Sequence, residues 1–376
     1  MNIGIDASRS RSGGAISHLR GILSELKPND HNITAVHVWA PLPLINQLPN
    51  RPWLIKHSPK KINQNIFLQL FWQLHEFKKE LLKNKCTVLF KTTSSSITHF
   101  APCVTLSQDM LPFEFTEMER YGLTLGRLRL IVLRLIYIHT LKRSYGVIFL
   151  TKYAARKIQE VTGKLPNNRV IPHGVDSIFS SMQNKPIKPL PLNEIRCVYV
   201  SASAPYKHQW NVIEAIYLLR LKNIPASLDL IGGGSGKSDK RVNEAIRKFD
   251  PERRFVNQLP FIKPNEVSKR IQESDIFVFA SSCENLPITL LEGMSSGLAI
   301  ASSDMGPMPE VLGKGGTYFN PEAPQSIADA IELLIKDSSF RSDSINHAIN
   351  NAKHFSWKEC SDNTFHFLVS CNDSKK

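Results

Sequence analysis

Residues 281–309 read SSCENLPITLLEGMSSGLAIASSDMGPMP and follow an apolar run at 275–280, DIFVFA. A short, continuous apolar run bounded by turn residues reads as a buried strand. The loop after it carries Glu284 and Asn285. Pro287 suits the first turn of a helix, because its missing N–H would be unpaired there anyway. Glu292 lies on that helix, and Gly293 and Gly297 lead into a second strand at 298–301. Two carboxylates placed this way can each accept protons from a pair of neighbouring hydroxyls. The helix start between them offers unpaired backbone donors to a phosphate. An ordinary exposed glutamate pair would explain the spacing by itself; the strand, turn, helix, strand order around it is what gives it weight.

Outward from this unit, short apolar runs alternate with amphipathic helical stretches along the chain. Strands are expected at 3–7, 33–40, 87–90, 103–106, 146–150 and 169–172, and again at 195–201, 227–231, 275–280 and 298–301. This alternation predicts an α/β protein with parallel sheets covered by helices. With 376 residues, the chain suits two domains better than one. The segment 181–192 contains Pro186, Pro189 and Pro191. Proline lacks a backbone donor and restricts the residue before it, so this segment is read as a linker. The expected division is a Rossmann-like domain at 1–180, a linker at 181–192, a second Rossmann-like domain at 193–355, and a helix at 356–376 crossing back to the first. Ligands of such sheets sit beyond the carboxyl ends of the strands, so the cleft between two facing domains is the expected site.

Two further strand–turn–helix units carry polar groups. Residues 199–208 read YVSASAPYKH and open a helix at 209–219; Lys207 is a point charge well placed for a phosphate. A solvated surface lysine is the plain alternative. At the N-terminus, Gly13 and Gly14 follow the strand at 3–7 and precede a helix at 16–26. Glycines let backbone donors approach a ligand, although a simple Gly-Gly turn would look the same.

Together these segments resemble glycosyltransferase family 4, whose members share the GT-B fold: two facing Rossmann-like domains with parallel sheets and an interdomain cleft. Glu284 and Glu292 match the family's E-x7-E motif. The resemblance implies that Glu284 contacts the donor sugar, Glu292 the ribose hydroxyls, and Lys207 the donor diphosphate. It places the amides near Asn285 and Leu286 on the diphosphate and sugar, the Gly13–Gly14 loop near the donor phosphates and acceptor, and Gly232-Gly233-Gly234 near the base. Lys207 and Glu284 are then the catalytic candidates. IPHGVD at 171–176 resembles the family's turn before the linker, and Phe355-Ser356-Trp357 the start of its final helix. The loop between the acids reads Asn285-Leu286-Pro287 where the family usually has Gly-Phe-Gly-Leu or similar, and two further positions depart from the pattern. Many members have an arginine where this chain has Ala202, and a His-Asp pair where it reads Gln108-Asp109. Asp109 stays an acceptor-side candidate, and no general base is assigned.

The implied activity is retaining transfer of a hexosyl unit from a nucleotide-diphosphate sugar to a surface glycan: lipopolysaccharide, O-antigen or exopolysaccharide. No resident cofactor and no metal are expected. A nucleotide-sugar epimerase and a non-catalytic nucleotide-sugar-binding protein remain alternatives. GGGSGKS at 232–238 misses the phosphate-loop pattern because Ile231 stands where glycine is required. No Asp-x-Asp occurs, which argues against a metal-dependent transferase of the other common fold.

The net charge of +14 points to an anionic partner; no nucleic acid is expected. The stretch from Leu123 to Arg143 is apolar yet carries Arg127, Arg129, Arg134, Lys142 and Arg143. With Arg120, Arg127 and Arg134 seven apart, it reads either as an interfacial helix touching anionic lipid near a lipid-linked glycan acceptor, or as a core helix whose arginines reach solvent. Six cysteines without metal-ligand spacing and an N-terminus without an apolar signal core suggest a cytoplasmic protein, peripheral at the inner face of the membrane.

Overall fold

The structure, a computed structural model, describes residues 1–11, 13–179, 190–191 and 193–373. Ser12 and most of the linker expected at 181–192 lie outside the described residues.

Every strand pairing is parallel. In the first sheet, β1 (Asn2–Asp6), β2 (Ala35–Trp39), β3 (Leu54–His57), β4 (Cys86–Lys91), β5 (Cys103–Leu106), β6 (Gly146–Phe149) and β7 (Asn168–Val170) lie in the order 3-2-1-4-5-6-7. The second holds β8 (Ile195–Val200), β9 (Ala226–Ile231), β10 (Val256–Leu259), β11 (Ile276–Phe279), β12 (Ala299–Ser303) and β13 (Thr317–Phe319), ordered 10-9-8-11-12-13. Counted from its own first strand, each sheet runs outward one way, returns, and runs the other. That order is the Rossmann signature, with a crevice at the reversal between the first and fourth strands. The central strands are buried on both faces, as parallel sheets require: β11 reads Ile-Phe-Val-Phe with all four residues buried.

The chain forms two compact units. One comprises Met1–Met118, Gly122–Gly174 and Ser356–Lys376; the other comprises Glu119–Tyr121 and Val175–Phe355. The helix Trp357–Asp373 thus belongs to the first unit, where it packs on the helix Gly14–Glu25. Gly21 makes that packing possible, because a Cβ there would lie 2.3 Å from the Trp357 ring. Phe365, Phe367, Leu368 and Cys371 of this helix are buried.

Three strands that periodicity did not single out, β3, β10 and β13, are all sheet edges. Pro287 caps the helix Ile288–Ser295 instead of entering its first turn. The arginine stripe is also corrected. The helix begins at Leu125, with the Thr124 hydroxyl accepting from the Arg127 amide. Gly122, at φ +57°, turns the chain just before it. Arg120 therefore stands outside the helix and does not share a face with Arg127 and Arg134. Among the described residues, no helix is long and apolar enough to cross a membrane.

Candidate functional site

In the second unit the reversal point lies between β8 and β11, which are hydrogen-bonded neighbours. Parallel strands send their following loops to the same end of the sheet. The loop after β8 carries Lys207 and the loop after β11 carries Glu284, so the topology brings these two residues together.

Hydrogen bonds clip the loops to each other. The Ser282 amide donates to the Tyr206 carbonyl at 2.9 Å, and His208 Nε2 lies 2.9 Å from the Ser282 hydroxyl. The Tyr199 hydroxyl, on β8, donates to the Lys207 carbonyl at 2.8 Å. His208 takes a left-handed conformation, φ 46°, as it turns the chain into the helix Gln209–Leu221. The Lys207 ammonium reaches the Glu284 carboxylate and lies 5.4 and 5.6 Å from the ring centroids of Tyr206 and Phe279. Both charges are mostly buried, with side chains 14% and 17% exposed. The lysine is therefore held by an acid and two aromatic faces beyond the carboxyl ends of β8 and β11, where a single, mostly buried cation acts with little screening.

Asn285 and Leu286 are buried just beyond Glu284. Glu292 lies on the next helix, Ile288–Ser295, and takes no part in the Lys207–Glu284 pair. Burial, with a smaller contribution from the Asp176 charge, pushes its acid up to about 8. The carboxyl is accordingly neutral over most of the physiological range, able to donate one hydrogen bond and accept others.

The glycine turn at 232–234 packs against the loop after β8. Gly232 has φ +131°, and a Cβ there would lie 2.5 Å from the Ser201 carbonyl oxygen; a Cβ on Gly234 would lie 2.5 Å from Ser203 Cβ. Gly233, at φ +58°, also needs the left-handed region. Glycine is required here because two backbones meet.

In the first unit, Gly13 has φ +60° and open space around it at the head of the helix Gly14–Glu25. Asp109 is part of a polar cluster after β5. It accepts from the Leu111 amide at 3.2 Å and the Tyr137 hydroxyl at 3.3 Å. Burial raises its acid, opposed by those two bonds and by the Arg129 charge.

Several neighbours of these residues carry no sequence signal. Arg120 pairs with Glu322, and the charges of Arg120 and Arg241 both act on His208. The Arg241 guanidinium lies 3.9 Å from the centroid of the Trp210 ring. These two arginines are cations that the fold gathers around the residue after Lys207, in a chain with Ala202 where many family members have arginine. Only the tertiary structure places them there.

Comparison with known proteins bears on the family and the fold. The family model for glycosyl transferases group 1 matches residues 181–354. An O-antigen chain mannosyltransferase B of Escherichia coli is 23% identical over 167 residues, 44% of this chain and 44% of that one, so the match spans less than half of the relative. Among solved structures, a sucrose-phosphate synthase from Thermosynechococcus elongatus has a TM-score of 0.76 at 14% identity, covering 97% of both chains. Anabaena Alr3699/HepE, in complex with UDP and glucose, has a TM-score of 0.73 at 17% identity, covering 98% of this chain and 100% of that one. At such identities the structural likeness carries the fold, which is GT-B. The match to the glycosyl transferases group 1 model takes in just under half of the chain, and the Lys207–Glu284 pair lies within the matched residues.

Proposed function

We propose that the chain transfers a hexosyl unit, with retention at the anomeric carbon and without a metal, from a nucleoside-diphosphate sugar to a growing surface glycan. The observation that carries this reading is the ion pair of Lys207 and Glu284 at the β8–β11 reversal point, with the half-buried acid Glu292 eight residues after Glu284. As the glycosidic bond breaks, negative charge grows on the leaving phosphate oxygen. Lys207 stabilises that charge, and the amides after Glu284 add fixed donors without reorganisation. When the diphosphate takes Lys207, Glu284 is released to accept hydroxyl protons of the donor sugar. Glu292 meets the ribose hydroxyls, and its neutral state allows it to donate as well as accept. Asp109 and the Gly13–Gly14 loop belong to the acceptor and phosphate side of the reaction.

The mannosyltransferase relative favours a glycan acceptor and a mannose- or glucose-type hexose, and the structural neighbour in complex with UDP and glucose favours a nucleotide sugar as donor. A lipid-linked acceptor fits the leucines left exposed on the helix Leu125–Arg143, where Leu125, Leu128 and Leu135 are 85%, 57% and 64% exposed beside arginines; such a face suits an anionic membrane surface. The deciding experiment is a panel of UDP- and GDP-sugars with chelator present, read by nucleoside-diphosphate release and by the anomeric configuration of the product. Release of nucleoside diphosphate with an inverted product would refute retention. Binding without turnover across the panel would favour a non-catalytic sugar-nucleotide receptor.

A further inference from the structure

Parallel strands are usually joined by a helix that covers the sheet between them. The connection from β4 to β5, residues 92–102, contains none. Two adjoining cavities of about 430 and 630 Å³ open there, and they share Lys91, Thr98, His99 and Arg143. The smaller one runs between the helices Ile66–His75 and Leu125–Arg143, with Leu74, Ile97, Leu135 and Ile136 in its walls.

Lys91 is 5% exposed, and its ammonium donates to the Thr98 carbonyl at 2.7 Å. Among the described residues no carboxylate lies within ion-pair distance of it. Its register partner on β1, Asp6, directs its oxygens to Ser8, Gln73 and Ser96. The charges that reach His99 share one sign: desolvation first, then Arg143, Lys91, His139 and Lys78, shift it towards its neutral form, while Asp6 is the carboxylate whose charge favours the Lys91 ammonium. A buried ammonium in a cationic surrounding is costly unless an anion joins it. Free phosphate would satisfy the charges and leave the apolar walls wet.

We propose that this groove binds an anionic lipid, its phosphate against Lys91, His99 and Arg143 and its hydrocarbon along Leu74, Ile97, Leu135 and Ile136. Phe67, Phe71 and Leu128, exposed on the same two helices, extend the apolar surface at its rim. As a place for the carrier of a lipid-linked acceptor, the groove rests on the function proposed above; binding itself is measured without donor or turnover.

The test is calorimetric titration of the full chain with dihexanoyl phosphatidylglycerol below its micelle concentration, beside dihexanoyl phosphatidylcholine and inorganic phosphate. Phosphatidylglycerol is expected to bind, with the other two at least about tenfold weaker, the scale of one charge-assisted contact. Arg143→Gln and Leu135→Glu alter exposed side chains, so folding is preserved; each is expected to weaken the lipid about tenfold and to leave nucleoside-diphosphate affinity unchanged. No binding of phosphatidylglycerol, equal binding of phosphatidylcholine or phosphate, or full affinity in both variants would overturn the proposal. Lipid binding in wild-type protein that takes up no nucleotide sugar supports the groove and instead refutes the transferase mechanism proposed for Lys207.

Discussion

Lys207 carries a sharp prediction at the scale of single residues. If its charge stabilises the leaving diphosphate, Lys207→Ala lowers turnover about 100-fold, the order found when one electrostatic stabiliser is removed. Steady-state kinetics within a few-fold of wild type would exclude that role. Glu292 differs in kind, since ribose contacts exist before and during the reaction and act on both states alike. Glu292→Ala is expected to weaken donor binding with turnover at saturation largely kept; the opposite split would contradict the assignment. The raised acid of Glu292 also gives a stability signature. Its folded value, about 8, lies above the ordinary 4.5, so the folded chain holds a proton that the unfolded chain gives up between these values. The stability this provides is complete below the lower value and is lost as pH rises through the upper one. Glu292→Gln, which stays neutral, should melt above wild type at about pH 9, and the difference should shrink towards acid pH. Parallel melting curves at both extremes would mean that the carboxyl is well solvated.

Among elements, legibility followed burial. The central strand β11 is a continuous apolar run and β8 is broken only by the exposed Arg196, so both could be read directly. The strands that escaped are edges: β10 reads Val-Asn-Gln-Leu and β3 Leu-Ile-Lys-His, short and polar because an edge is half in water. The loops of the candidate site were recognised through the family pattern, whereas the bonds holding them together were not. His208 to Ser282 joins residues far apart in the chain, and no local periodicity encodes such a pair. Likewise Arg120 was assigned to a helical stripe by spacing alone, while Gly122 and the Thr124 cap set the helix start after it. The glycine turn gives an element-scale prediction. In Gly232→Ala the new methyl would meet the Ser201 carbonyl in a backbone conformation that alanine resists. Loss of about 1–3 kcal/mol is expected, as for other overpacked sites, checked by denaturant unfolding and accompanied by weaker nucleotide binding. Unchanged stability would mean that the two loops are not held in contact.

At the scale of the molecule, the two-sheet α/β organisation was legible from alternation, and the return of the helix Trp357–Asp373 was expected from the resemblance alone. Its packing depends on particulars, Gly21 beneath Trp357 and the Ser361 hydroxyl donating to the Ile22 carbonyl at 2.8 Å. Deleting residues 356–376 should therefore damage the opposite end of the sequence. It strips Phe365, Phe367 and Leu368 from the first unit's core, and proteolysis should then cut preferentially within residues 1–174 while 193–355 resists. Equal resistance of both segments would show that the first unit is complete without that helix.

The same arrangement bears on biosynthesis. Because Val175–Phe355 is inserted between the segments of the other unit, a ribosome delivers all of it before the helix that seals the earlier-made core. The inserted unit is therefore expected to mature first, with the earlier one held open as a partly formed intermediate that chaperones can engage.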